Sequence, residues 1–507
     1  MLLDAIERAV RLRAGAPATI CDGRILTWQQ LVARISRLAG ALRGMDVQES
    51  SPVGILGLNS DRYLEAMYAI WWAGGVAVPM NFRFAVAEHL HCIDETEIRV
   101  IFVDEHFVDT ARQLAAQRPH LRLIAMGDAP VEGFNAYEQL IAGAPPADPV
   151  RRPSDVHAGI FYTGGTTGIP KGVMHSMRSL WSGAVCLGMG FHPPEHLRYL
   201  HTTPMFHLGD LALSCLTTLC AGTHVFLAQF TCESFVRLVG QYGVQATALV
   251  PTMVSRLLDS GLMRGEATKS LHTLIFGGSP IAETELNRLR ETLPGVQLCQ
   301  IFGQTETAAN GTLLRDDEHG RSAGRALFGN LVGVFDQQGR ELPPGATGEI
   351  WVKGPAAMLG YWRNPDLTAS TLTDGWVHTG DAGYMDEEGY IYICDRLKDM
   401  IITGGENVYC AEVENAIAAH PSVAQVAVIG VPDEKWGERV HAVIVLHPGK
   451  TLTLEALQEH CRSRIAGYKL PRSMELRTES LPLSAVGKVL KTALREPYWA
   501  GKTRNVN

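Results

Sequence analysis

A chain of 507 residues exceeds the size of one compact core, so a large globular part with at least one smaller domain is expected. Its 45 Lys+Arg against 53 Asp+Glu give a net charge of −8 without any dense basic run, which argues against a nucleic-acid or anionic-membrane footprint. Small anions remain accessible to local loops, and ten cysteines without a C-x-x-C pair read as buried free thiols of a cytoplasmic, reducing address.

Residues 1–13 carry Asp4 and Glu7 among apolar positions and read as a short amphipathic helix rather than a signal peptide. An apolar helix over 64–72, the pair Gly74-Gly75 and the β-branched run 76–78 set a helix–glycine–strand rhythm. The rhythm returns at 235–242 with 246–250 and at 283–292 with 296–301. It predicts α/β layers with largely buried parallel strands. His89, His91 and Cys92 lie close together without matching ligands elsewhere, so a helix face is expected there and no structural zinc. The uncharged stretch 211–228 is broken by Ala221-Gly222-Thr223 into a helix and a short strand, neither long enough to span a bilayer.

From about Gly348 the pattern changes to alternating strands with tight turns, which indicates a β-rich subdomain over about 330–394. The polar run 395–399 precedes a new α/β unit with a helix over 411–420 and strands over 423–430 and 440–446. The expected organisation is an N-terminal core of 1–394, a hinge at 395–398 and a C-terminal domain of 399–507.

The densest chemical signal follows the strand-like residues 159–162. Thr163, Gly164, Gly165, Thr166, Thr167, Gly168, Pro170, Lys171 and Gly172 bring together backbone N–H groups, hydroxyls and a cation suited to phosphate. Pro170 directly before Lys171 excludes a Walker A spacing. Alone, the segment also admits the lesser reading of an ordinary glycine-rich turn. Glu306, in Gly303-Gln304-Thr305-Glu306-Thr307 beyond the apolar strand 296–302, is placed to hold the Mg2+ of a nucleotide, although a capping carboxylate is the simpler reading of that residue alone. His378-Thr379-Gly380-Asp381 puts a carboxylate in a turn after a strand, within reach of ribose hydroxyls.

The segments 162–175, 204–207, 302–306, 375–381, 395–414 and 482–488, in that order, resemble the adenylate-forming superfamily of acyl- and aryl-CoA synthetases, adenylation domains and firefly-type luciferases. The resemblance spans nearly the whole chain. It implies a large α/β N-terminal domain with a β-rich subdomain, hinged to a small α+β C-terminal domain. It also implies that Thr163, Thr166, Thr167 and Lys171 cradle phosphates and that Glu306 ligates Mg2+. Gly278-Ser279-Pro280 and Phe302 would flank adenine, and Asp381 with Arg396 would hold ribose. Lys488 would reach the substrate carboxylate and the α-phosphate. Lys398 matches the hinge position, Gly404-Gly405-Glu406 the loop lining a pantetheine tunnel, and His207 a gate beside the acyl pocket. A surface lysine, a β-turn and a packed histidine are the plainer readings of these last elements.

Gly165, Phe302, Cys410 and Ser484 stand where the family more often has Ser, Tyr, Pro and Thr, and none of these departures removes a needed charge. The implied activity is an ATP-, Mg2+- and coenzyme A-dependent ligase that forms an acyl adenylate from a medium- or long-chain fatty acid. An aryl or cinnamate-like acid is the runner-up substrate, and a carrier protein the alternative acceptor. The acid and CoA are the expected partners, no nucleic acid is expected, and a homodimer stays open.

Overall fold

The computed structural model describes residues 1–164, 169–263, 265–279, 281, 283–315, 322–482 and 489–500. Packing divides the chain into two compact units: Met1–Val332 with Val352–His378, and Gly333–Trp351 with Thr379–Asn507. The expected hinge at 395–398 falls inside the second unit.

Among the described residues, two large sheets lie within the first unit. In the eight-stranded sheet the spatial order is Gly360–Tyr361, Lys171–Ser176, His157–Thr163, Val76–Pro79, Pro52–Leu56, Val100–Val103, Arg122–Ala125 and Asn135–Ala136. All pairings from His157–Thr163 onward are parallel. In the nine-stranded sheet Gln297–Phe302, Thr273–Gly277, Ala246–Leu249, Arg198–His201, Thr223–Phe226 and Pro17–Cys21 form the parallel centre. Strands such as VIFV at Val100–Val103 are buried along their whole length, as strands covered on both faces must be.

The glycine-punctuated rhythm of the sequence is realised here. The helix Asp61–Trp72, capped by Ser60 Oγ accepting from the Tyr63 N–H at 3.1 Å, precedes the strand Val76–Pro79. Every residue of that helix except Arg62 is buried, and its two buried carboxylates need partners. Arg24 lies 2.6 Å from Asp61, and Arg34 lies 3.0 Å from Glu65. The uncharged stretch forms the helix Leu208–Leu219 and the strand Thr223–Phe226. No helix among the described residues is long and apolar enough to cross a membrane.

In the second unit, Val423–Asp433 and Gly437–Leu446 form one long antiparallel hairpin where the sequence indicated two shorter strands. Asp433 Oδ1 accepts from the N–H groups of Lys435 and Trp436, and Gly437 takes φ +78°, which closes the turn. Side chains alternate across this sheet. Val428, Val440 and Ala442 pack with the helices Cys410–Ala418 and Leu454–Arg462, while Ala427, Ile429 and Val443 pack with Leu494 of Lys491–Trp499. All ten cysteines are free.

Four histidines are buried at unusual cost. Burial pushes His89, His175 and His441 down to about 4 and His224 well below its ordinary value. These rings stay neutral in the folded protein while an unfolded chain protonates them near 6.5. The unfolded state therefore binds more protons between about pH 6.5 and about pH 4, and stability falls as pH drops through that window. Scanning calorimetry should show a falling unfolding temperature on acidification below 6.5, and His89→Met should flatten that slope.

Candidate active site

The glycine-rich segment lies between two antiparallel strands. His157–Thr163 pairs with Lys171–Ser176 so that Thr163 lies opposite Lys171 at its mouth. Gly164 is exposed there, whereas Gly165, Thr166, Thr167 and Gly168 lie outside the described residues. One helix, Val86–Thr96, holds both sides of this segment. The Tyr162 hydroxyl donates to Glu95 Oε2, and the His91 ring contacts the Pro170 carbonyl through Nε2 at 3.3 Å. Burial first, and then the Glu95 hydrogen bond, raise the Tyr162 phenol. His89 of the same helix is buried in the interior, so the two histidines do different work.

Gly172 explains how the hairpin stays flat against its neighbours. A Cβ there would lie 2.8 Å from Ile160 Cγ2, and its carbonyl accepts from the Trp362 N–H at 2.7 Å.

The other cluster of this unit sits at the C-terminal ends of two adjacent parallel strands, where open α/β sheets offer unpaired backbone. Thr273–Gly277 and Gln297–Phe302 run side by side with Gly277 opposite Ile301. Gly278, at φ +82°, and half-buried Ser279 follow the first strand, and Pro280 lies outside the described residues. Phe302 ends the second, half-buried. A Cβ on Gly303 would lie 2.5 Å from the Ala309 carbonyl carbon and 2.8 Å from the Asn310 nitrogen. Only glycine permits this return of the backbone.

The turn Thr305–Thr307 carries Glu306 and is gripped from two sides. His175 Nε2 reaches the Thr305 carbonyl at 2.7 Å, which assigns a proton to that nitrogen, and its Nδ1 lies 3.0 Å from Ser179 Oγ. The Tyr361 hydroxyl donates to Glu306 Oε1 at 2.6 Å, and the Met358 N–H donates to the Glu306 carbonyl at 2.8 Å. The His157–Ser176 hairpin and the Glu306 turn are thus in direct contact, although they come from different sheets. Neither His175 nor Tyr361 was singled out from the sequence. His175 closed the first resembling segment, and Tyr361 follows Gly360 without any local signal.

His207 precedes Leu208–Leu219 as its N-cap residue and is half-buried, its ring centroid 4.0 Å from that of Phe206. Asn59 fixes the approach, donating to the Thr203 carbonyl at 2.8 Å and accepting from the Met205 N–H at 2.9 Å. Behind it, fully buried Asp210 lies 2.6 Å from His201 Nδ1 and accepts from the Tyr199 hydroxyl at 3.2 Å. The chain continues from His201 to His224 at 3.0 Å, to Thr218 at 3.2 Å and to Tyr68 at 3.0 Å.

In the second unit Asp381 lies within the strand Trp376–Met385, paired with Arg396, and not in the turn expected after a shorter strand. Gly380, at φ +69°, gives that segment its turn-like composition without ending the strand. Asp381 is buried, and Arg396 Nε lies 2.8 Å from its Oδ1. Lys398 is exposed just beyond. Gly404 and Gly405, at φ +62° and +85°, turn the hairpin of Ile401–Thr403 and Glu406–Val408, with Glu406 opposite Thr403. A Cβ on Gly404 would lie 2.6 Å from Trp436 Cε3, and that indole is flanked by Lys435 at 4.8 Å and Arg472 at 4.6 Å. Cys410 donates its N–H to Asp395 and its thiol to the Asp399 carbonyl at 3.0 Å, so it fastens the residues on both sides of Lys398. Ser484 and Lys488 lie outside the described residues.

A family model described as AMP-binding enzyme matches residues 6–362, and one described as AMP-binding enzyme C-terminal domain matches 412–488. The chain is 35% identical to a fatty acid–[acyl-carrier-protein] ligase of Streptomyces coeruleorubidus, covering 97% of this chain and 95% of that protein. It is 37% identical to a feruloyl-CoA synthase of an Amycolatopsis species, covering 97% and 98%. The o-succinylbenzoate coenzyme A synthetase of Bacillus subtilis, solved with ATP and magnesium ion, superposes with a TM-score of 0.86 at 28% identity, covering 97% of this chain and 98% of that one.

Because the atoms facing Gly303 are backbone, Gly303→Ala should displace 309–310 and cost about 1–3 kcal/mol. Urea unfolding checks the stability loss, and a midpoint equal to that of the parent would contradict the close approach.

Proposed function

The chain belongs to the AMP-binding enzyme family, and we propose that it is an ATP-dependent acid–CoA ligase working through an acyl adenylate. In the first half-reaction a carboxylate oxygen of the acid bonds to the α-phosphorus of ATP and the bond to pyrophosphate breaks. In the second, the thiol of CoA loses its proton, its sulfur bonds to the acyl carbon, and AMP leaves.

The observation that carries this reading is the direct joining of the Thr163–Lys171 hairpin mouth to the Glu306 turn through His175 and Tyr361. Carboxylate attack on phosphate brings anion to anion, so the protein's task is to place cations and donors in advance. Thr163, Thr166, Thr167 and Lys171, with the N–H groups of Gly164, Gly165 and Gly168, bind the phosphates. Gly278, Ser279, Pro280, Phe302, Gly303 and Thr305 frame the adenine, and Asp381, oriented by Arg396, accepts from ribose.

Glu306 suits Mg2+, which is typically bound by one or two carboxylates together with substrate phosphates. It presents a carboxylate whose Oε1 is already engaged by Tyr361. Bound there, the ion supplies charge neutralisation of the phosphates. Lys488 supplies the cation beside the reacting carboxylate, Lys398 is the pivot between half-reactions, and Gly404, Gly405 and Glu406 border the path of the pantetheine arm.

For the acid we propose a medium- or long-chain fatty acid. The helix after His207 buries Leu208, Leu211, Ala212, Cys215 and Leu216 and contains no lysine or arginine, and its one carboxylate, Asp210, is engaged by His201 and Tyr199. A helix of this composition after His207 suits an apolar tail and offers nothing to a second carboxylate. The feruloyl-CoA synthase at 37% identity supports an aryl acid as the second reading, and the carrier-protein ligase supports a carrier as alternative acceptor. Ten free cysteines suit a cytoplasmic setting.

A panel of fatty, cinnamic and dicarboxylic acids, assayed for pyrophosphate and separately for thioester, tests this reading. Fatty acids should give both products. Pyrophosphate without acyl-CoA on every acid would overturn CoA as acceptor, and preference for a diacid would overturn the apolar pocket. Lys488→Ala should lower pyrophosphate release by about 10²- to 10³-fold yet spare thioester formation from supplied acyl adenylate. Equal loss of both contradicts its assignment to the first half-reaction.

A further inference from the structure

Glu306 stands on a short turn, and a carboxylate on a turn is free to rotate unless something fixes it. Here something does. Tyr361 is 8% exposed, and its hydroxyl donates to Glu306 Oε1 at 2.6 Å, the length of a charge-assisted O–H···O⁻ bond. The phenol is itself held. The strand Gly360–Tyr361 pairs with Met174 and Val173 of the strand that begins at Lys171. The Tyr361 N–H donates to Thr368 Oγ1 at 2.9 Å, and Gly360 at φ +139° leaves no room for a Cβ, which would lie 2.7 Å from Thr368 Cγ2. The ring packs in a small buried cluster with Val173 and Met358, and Met358 in turn binds the Glu306 backbone at 2.8 Å. One four-residue segment therefore grips the Glu306 main chain and side chain while forming the edge of the sheet that carries Lys171.

From this geometry we propose that Tyr361 is a positioning residue for the divalent cation: its hydroxyl occupies Glu306 Oε1 and fixes the carboxylate, so that Oε2 is the atom that would be left to hold the nucleotide's metal. The proposal rests on Glu306 as the metal's carboxylate. It accounts for a hydroxyl that a purely packed aromatic would not need, since phenylalanine fills the same cluster. It also makes the spacing between Lys171 and Glu306 a property of one rigid edge rather than of two independent loops.

The test uses the full-length enzyme with Mn2+ in place of Mg2+, free Mn2+ being counted by electron paramagnetic resonance during titration in the presence of ATP. Tyr361→Phe should weaken Mn2+ binding about tenfold, the lower end of what loss of a partner to a metal ligand costs. ATP binding measured calorimetrically in EDTA should be unchanged. In turnover, the Mg2+ concentration for half-maximal pyrophosphate release should rise while the rate at saturating Mg2+ stays within about threefold, since the ligand itself is retained. Wild-type Mn2+ affinity in Tyr361→Phe, with Glu306→Gln impaired, overturns the proposal alone. Equal weakening of ATP with and without metal overturns it in favour of a packing role. Wild-type Mn2+ affinity in Glu306→Gln removes the metal reading beneath it and the proposal together.

Discussion

A parallel strand covered on both faces commits every side chain along its length to the interior, and only its ends remain for chemistry. That constraint shapes the first unit. The runs at Val76–Pro79, Val100–Val103 and Ala246–Leu249 are wholly buried, so the residues able to meet a ligand gather where strands stop: Thr163, Gly278 and Ser279, and Phe302 to Glu306. The glycines at these ends are structural necessities. Gly277 faces the Ile301 carbonyl at 2.5 Å from where its Cβ would stand, and Gly303 faces the 309–310 backbone.

Holding such ends in register is the second task, and hydrogen bonds from distant parts of the chain do it. Helix Val86–Thr96 takes the two sides of the glycine-rich segment at Tyr162 and Pro170 through Glu95 and His91. His175 takes Thr305, and burial keeps that imidazole neutral, so it serves as a fixed donor and not as a charge. Under Leu208–Leu219 the series Asp210, His201, His224, Thr218 and Tyr68 ties the helix to two strands and leaves each buried ring with a polar partner. A buried network of this kind specifies one arrangement of the helix because any displaced member loses its partner at high cost.

The α/β layering, the helix–glycine–strand units and the order of the motifs were legible because they depend on local periodicity and on glycine placement, both short-range properties. The helix at Glu283–Thr292 falls where its pattern indicated. What was not legible depends on pairing across long separations. Asp381 read as a turn residue because Gly380 precedes it, yet the pairing with Arg396 continues the strand through it. The turn at Asp433 to Gly437 joins two strands into one hairpin through side-chain bonds that leave no periodic trace. Tyr361 and His175 carry no motif of their own, and their importance appears only when the two sheets are seen to meet at Glu306.

The edge strand Gly360–Tyr361 has a consequence for the order in which the protein becomes complete. It pairs with Val173 and Met174, which leave the ribosome long before it. Contacts of such sequence separation form late, after the loops between them have closed. A nascent chain that has delivered both parallel sheets therefore lacks the phenol on Glu306 and the carbonyl bond between Trp362 and Gly172 until residues 358–362 arrive. Synthesis thus delivers the brace on Glu306 after both parallel sheets: the turn Thr305–Thr307 is fixed later than the strands it follows, not as a by-product of forming them.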